Sequence, residues 1–318
     1  MELDNIFKKT VTRYASSMED FIEQEEDTVL VSKSSLAIIR LEIILIIWAL
    51  SIIANSFIIH AIRKCKILNT WENNVIYHVS WCNLMFFVLQ PTIHIVLLKT
   101  RAFQSLSCFL TDIPNSLIAT GMIGVIFLLS GWILINSEYE SFSRYRDNFK
   151  ANCIFTMYVC GTIIYTATFL SCHFRTLRFR VIIFTIDLII FAAIFLNILR
   201  YFIVSSNIIK ESKYVIYVTN AEILSVSPLF ISVHLSEIFS DYRALKEILI
   251  FAKFLSEISF ISNPILIYFI LFKYNKHFNQ VFRAIFRCKN KQLELLDELP
   301  HDRNETSREE KLVVLIDN

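Results

Sequence analysis

The sequence predicts an all-α membrane protein, a seven-transmembrane helix bundle with an inner-leaflet amphipathic eighth helix. Three observations predict it. The first is composition: 55% of 318 residues are hydrophobic and 19% are charged, with a mean hydropathy of +0.52. Water-soluble chains carry roughly 45–50% apolar and about 25% charged residues, so the excess apolar surface calls for lipid. The second is a series of seven apolar stretches, each near the ~20 residues that a spanning helix needs. The third is a one-sided apolar stripe that follows the last of them. A net charge of +2 gives no field suited to nucleic acid, and the same apolar excess excludes a disordered chain or a disulfide-rich secreted module.

The apolar stretches cover approximately 43–62, 75–98, 110–136, 151–171, 181–204, 214–238 and 247–272. Short spacers separate them, so 38–273 reads as one bundle without room for a soluble domain. Residues 1–37 are acidic and lack an apolar run. They are expected outside the cell, with the first span, rather than a cleavable leader, as targeting signal. Lys and Arg near span ends set orientation, because cationic loops resist translocation. With the N-terminus outside, fourteen such cations, among them Arg63, Lys64, Lys66, Arg144, Arg146 and Lys276, fall inside, against nine outside. That bias and an odd number of spans predict a multi-pass plasma-membrane protein with its C-terminus in the cytosol.

Residues 274–291 read as the amphipathic helix. Phe278, Val281, Phe282, Ile285 and Phe286 recur at helical spacing, and Lys276, Arg283, Arg287 and Lys289 are placed for lipid headgroups. Cys288 at its end is a candidate for palmitoylation, or a plain cytosolic thiol. Residues 292–318 are polar and predicted disordered.

Polar residues inside the spans are expensive in lipid and should face the bundle interior. In span two, Asn83, Gln90 and His94 form one stripe; in span six, Asn220, Ser227 and His234 do the same; in span seven, Lys253 and Glu257 sit four apart, where they can neutralise each other. Singly, such residues stitch helices together; as a set they predict an internal cavity.

The last span contains Asn263-Pro264-Ile265-Leu266-Ile267-Tyr268. This resembles the Asn-Pro-x-x-Tyr element of rhodopsin-like G-protein-coupled receptors, with Tyr one position late. Pro removes a backbone donor and bends the helix, and Asn re-satisfies the freed groups. Asn55 and Asn83, 28 apart, are similar to the polar residues that mark spans one and two in that family, and Pro91 and Pro228 fall near its prolines. The resemblance covers about residues 40–290. It implies a disulfide between Cys108, before span three, and Cys172, after span four. Cys65 and Cys288 would stay reduced, and Cys82, Cys153 and Cys160 read as packing residues.

The departures are specific. Ser137-Glu138-Tyr139-Glu140 ends span three without the family's Arg, span four lacks its Trp and span five its Pro, and Glu257 occupies the position of an opsin's retinal-bearing Lys. Divergence of this kind resembles nematode serpentine chemoreceptors of the Sre and Srab types, through Glu138 to Asp147 and through Tyr214 to Leu224, which carries Asn220 and Glu222.

The resemblance implies a small external ligand bound by His94, Met122, Asp187, Phe230, His234, Lys253 and Glu257. Asn55, Asn83, Pro228, Asn263, Pro264 and Tyr268 would form the switch. Glu138, Tyr139, Arg144 and Arg146 would meet a heterotrimeric G protein. No cofactor, metal or nucleic acid is implied, and the oligomeric state stays open. Three rivals were weighed. A transporter usually shows paired halves with Gly- or Pro-interrupted spans, whereas three of the four Gly here, Gly121, Gly124 and Gly131, lie in one span. A seven-span odorant-gated channel would have its N-terminus inside. An enzyme is not expected: the seven His include no pair three or four apart, and no Gly-x-Ser-x-Gly, Walker loop or Cys-x-x-Cys occurs.

Overall fold

A computed structural model describes residues 30–100, 104–136, 140–173, 178–203, 213–238 and 243–286, with side chains over most of these ranges. The described residues are helical throughout, without strands. The helices are α1 (Leu30–Lys64), α2 (Trp71–Thr100), α3 (Gln104–Asn136), α4 (Glu140–His173), α5 (Arg178–Ile203), α6 (Lys213–Ile238), α7 (Arg243–Tyr274) and α8 (Lys276–Phe286). A 3-10 turn, Lys66–Leu68, joins α1 to α2.

Six of these helices are long and apolar enough to cross a membrane, with windows at Glu42–Lys64, Trp71–Leu97, Asp112–Asn136, Asn148–Leu170, Lys213–Ser232 and Ile248–Tyr274. The described residues are therefore helical and compatible with a multi-pass membrane protein. Expected span five falls on α5, which is not among the six.

Two helices begin before their apolar stretches, α1 at Leu30 and α4 at Glu140. Hydropathy marks only the lipid-immersed part of a helix. Backbone hydrogen bonding continues past the apolar boundary where no Gly or Pro interrupts it, and none lies between 30 and 41 or between 140 and 150.

The helix α3 is the axis. Of its apolar window 72% is buried, against 22% in α4, and it packs on α2, α4, α5 and α6. The helix α7 closes the bundle between α6 and α1. Without a hydrophobic drive between helices in lipid, close approach depends on small residues. A Cβ at Gly124 would lie 2.7 Å from Val79 Cγ2 and 2.8 Å from Met157 Sδ, which brings α2 and α4 onto α3 there. Outward faces are apolar, with Phe155, Phe184, Phe202 and Phe269 more than half exposed, as lipid contact requires.

Prolines 91, 114, 228 and 264 all lie inside helices. One turn before Pro264, Ser51 of α1 donates to the Ile261 carbonyl at 2.5 Å and to the Ile47 carbonyl at 2.9 Å, tying α1 to α7.

Only Asn275 separates α7 from α8; its Oδ1 accepts the Phe278 N–H at 3.2 Å, a side-chain N-cap. Phe278, Val281 and Phe282 are fully buried with Ile67 and Leu68 of the linker, while Lys276 and Arg283 are exposed. Tyr268 contributes to the same contact, its ring 4.8 Å from that of Phe282.

Candidate functional site: a buried polar cluster at mid-depth

Near the middle of its apolar window, α6 places Glu222, 3% exposed. A carboxylate at that depth needs donors, since desolvation without them costs several kcal/mol. Neighbouring helices supply them. Asn83 Nδ2 of α2 donates to Glu222 Oε1 at 3.2 Å, and Asn263 of α7 lies near enough to the same carboxyl group to act on it. Ser225, one turn along α6, donates to Asn263 Oδ1 at 3.2 Å. That contact occupies the amide oxygen of Asn263 and leaves its NH2 for the carboxylate.

The fourth wall is α3. Gly121 has no side chain there, and a Cβ at this position would lie 3.7 Å from Asn83 Oδ1 and 3.7 Å from Cys82 Cβ. Cys82 is close enough to Glu222 to feel its charge. Asn55 of α1 is also buried, its Nδ2 without a hydrogen-bond partner among the described residues. One acidic group on α6 is thus bonded to α2 and lies beside Asn263 of α7, in helices that carry Pro228 and Pro264.

A second, apolar layer holds part of the expected ligand site. Met122 of α3 is buried with Ile186, Ile189 and Ile190 of α5 and Val226 of α6, and Phe230 packs against them. Phe86 and Phe260 close this layer edge to face, with centroids 5.4 Å apart. Asp187 is half-buried on α5. Lys253 and Glu257 are half-buried and interact electrostatically with each other one turn apart. The structure thus brings Met122 and Phe230 together, and separately Lys253 and Glu257.

Other sequence expectations distribute unevenly. The span-two stripe is not wholly internal: Gln90 is exposed one residue before Pro91. Asn220 turns toward α5, accepting from Asn197 Nδ2 at 2.8 Å. Glu138, Tyr139 and Cys288 lie outside the described residues, as do the side chains of His94, His234, Arg144, Arg146, Cys108 and Cys172. Among the described cysteines, Cys65, Cys82, Cys153 and Cys160 form no disulfide.

Sequence reasoning noticed Glu222 only as part of a family echo and did not place it at the centre. Its signal was available, a carboxylate mid-way along an apolar stretch. Asp112 at the start of the α3 apolar window and Arg200 in the last turn of α5 are also buried charged-type residues. No group of three or more His, Cys, Asp or Glu able to hold a metal occurs among the described residues. No protein-family model matches the chain, and comparison with curated proteins gives no match.

Proposed function

We propose that this chain is a G-protein-coupled chemosensory receptor, with seven spans, its N-terminus outside the plasma membrane and α8 on the inner leaflet. A small external molecule enters from the outer side and settles over the layer of Met122, Phe230, Phe86 and Phe260, near Asp187 and the Lys253–Glu257 pair; His94 and His234 complete its walls. Ligand shifts a two-state equilibrium only by its differential affinity for the two forms. The element that differs between them is α6, hinged at Pro228, whose register against α2 and α7 is read by Asn83, Glu222 and Asn263. Asn55, Pro264 and Tyr268 lie along the same relay. Inside the cell, Glu138, Tyr139, Arg144 and Arg146 meet a heterotrimeric G protein. Cys108 and Cys172 form the outer disulfide, and Cys288 carries an acyl chain.

One observation carries this reading: three helices, two of them carrying an internal proline, bring polar side chains together around a single buried carboxyl group. Such a node has discrete bonded and unbonded arrangements, which a switch needs and a passive packing layer does not.

The test is expression in cells carrying a promiscuous G protein, screened with volatile and water-soluble compounds for calcium or cyclic-nucleotide responses. At least one compound is expected to elicit a response that Glu222→Ala abolishes at equal surface level. Accumulation of a labelled compound without any second messenger would instead identify a transporter.

A further inference from the structure

The Lys213 end of α6 is held by a contact that the receptor reading does not use. Tyr214, in the first turn of α6, donates its hydroxyl to Asn73 Oδ1 at 3.3 Å. Asn73 in turn donates Nδ2 to the Leu68 carbonyl at 3.0 Å, and its own N–H to Thr70 Oγ1 at 3.3 Å. Thr70 lies beside the Tyr214 side chain. The carbonyl of the linker fixes which way the Asn73 amide points, because only one orientation turns NH2 to Leu68 and leaves oxygen for a phenol. Asn73 is 2% and Tyr214 8% exposed. The pair sits among Leu68, Val215 and Val218 in an apolar surround.

We propose that Tyr214 and Asn73 form a latch that pins the Lys213 end of α6 to the linker between α1 and α2, and that its release frees this end to move. The polar character of the contact makes it two-state. A sliding of α6 that breaks the hydrogen bond leaves a phenol and an amide oxygen buried without partners until the end swings far enough to reach water. The neighbouring contact on α6 lacks that property: the Tyr217 and Tyr274 rings lie 4.4 Å apart at 31°, an apolar stack that tolerates sliding. Toward α5, packing is slight, and Asn197 donates to Asn220 at 2.8 Å. The latch supplies a tether for α6 in a chain whose third helix leads into Ser137-Glu138-Tyr139 without an arginine. Its use in signalling rests on the receptor reading; its mechanics do not.

Hydrogen–deuterium exchange of the full-length protein in detergent tests it. Tyr214→Phe keeps the ring and removes the donor. Backbone amides in 213–219 and 66–74 are expected to exchange about tenfold faster, while those of α3 and α4 keep wild-type rates. Tyr217→Phe, which keeps its stacking ring, should leave every peptide unchanged, and adding Tyr214→Phe to Asn73→Ala should bring no further acceleration. Unchanged exchange over 213–219 in Tyr214→Phe overturns the latch, as does acceleration spread over the whole bundle. In cells, raised ligand-free second messenger in Tyr214→Phe would tie the latch to signalling. Silence of every variant beside a local acceleration counts against the receptor reading and leaves the latch standing.

Discussion

Asn83 and Glu222, 139 residues apart in the chain, meet at 3.2 Å near the middle of the apolar layer. Their bond joins the second helix to the sixth across the bundle interior. Hydrogen bonds buried in membranes average about 0.6 kcal/mol and reach about 1.7, and a carboxyl group buried this deeply with an amide donor belongs toward the upper end. A double-mutant cycle of Asn83→Ala and Glu222→Ala, followed by unfolding of the detergent-solubilised protein, should therefore give a coupling of about 1 kcal/mol or more. Strict additivity would show that the two side chains do not act on each other. Glu222→Gln, which preserves an acceptor, should fall between wild type and Glu222→Ala.

The glycines of α3 make a second, opposing pair of expectations. A Cβ at Gly131 would run into the indole of Trp71 and lie 2.8 Å from the Phe149 ring, whereas one at Gly121 meets nothing closer than 3.7 Å. Overpacking costs about 1–3 kcal/mol, and replacing a helical Gly by Ala returns about 1 kcal/mol. Gly121→Ala should be as thermostable as wild type or more so, and Gly131→Ala less so. Melting curves of the two variants side by side check the sign; a Gly131→Ala protein melting at or above Gly121→Ala contradicts the packing described for α2, α3 and α4.

Much of this was legible in advance because lipid enforces it. Helices follow from apolar runs of about 20 residues, since an unpaired backbone group in hydrocarbon costs several kcal/mol. Asn83 and Asn263 stood out as polar residues where lipid disfavours them, and Phe278, Val281 and Phe282 as one face of α8. Helix ends were not legible: hydropathy falls at Glu140 while the backbone carries on as helix. Nor was the partner of Asn83. Glu222 was visible in the sequence, but which neighbour it meets depends on the rotation of α2, α6 and α7 about their axes. That rotation is set by contacts such as Val79 and Met157 against Gly124, and no spacing rule within one helix encodes it. Gln90 failed for the same reason, lying on the expected stripe yet exposed.

The proposed outer bridge is testable without reference to any ligand. If Cys108 and Cys172 are joined, Cys108→Ser and Cys172→Ser each leave the same orphaned segment, so their losses of surface delivery should match and the double variant should be no worse than either. Surface biotinylation measures all three. Unequal single losses, or a double loss equal to their sum, would mean that the two thiols act separately.

Crossing number decides the remaining architecture, and α5 is where it turns. Six crossings put both ends of the chain in one compartment; seven put them in two. At 1.5 Å per residue the 26 residues of α5 extend about 39 Å, longer than the roughly 30 Å hydrocarbon core. One face, Ile186, Ile189, Ile190 and Ala193, is buried, and α5 packs on α3, the most enclosed of the spanning helices. The other face presents Phe184, Leu188, Phe191, Phe195, Ile198 and Phe202, each more than half exposed, a surface that water would not tolerate and lipid favours. A helix packed along a spanning partner and apolar on its outer side is expected to cross beside it. Epitope tags at the two ends should accordingly differ, the N-terminal one staining intact cells and the C-terminal one only permeabilised cells. Both tags staining under the same condition would leave α5 on one side of the bilayer, and a receptor with its sensor outside and its G protein inside could not be built from this chain.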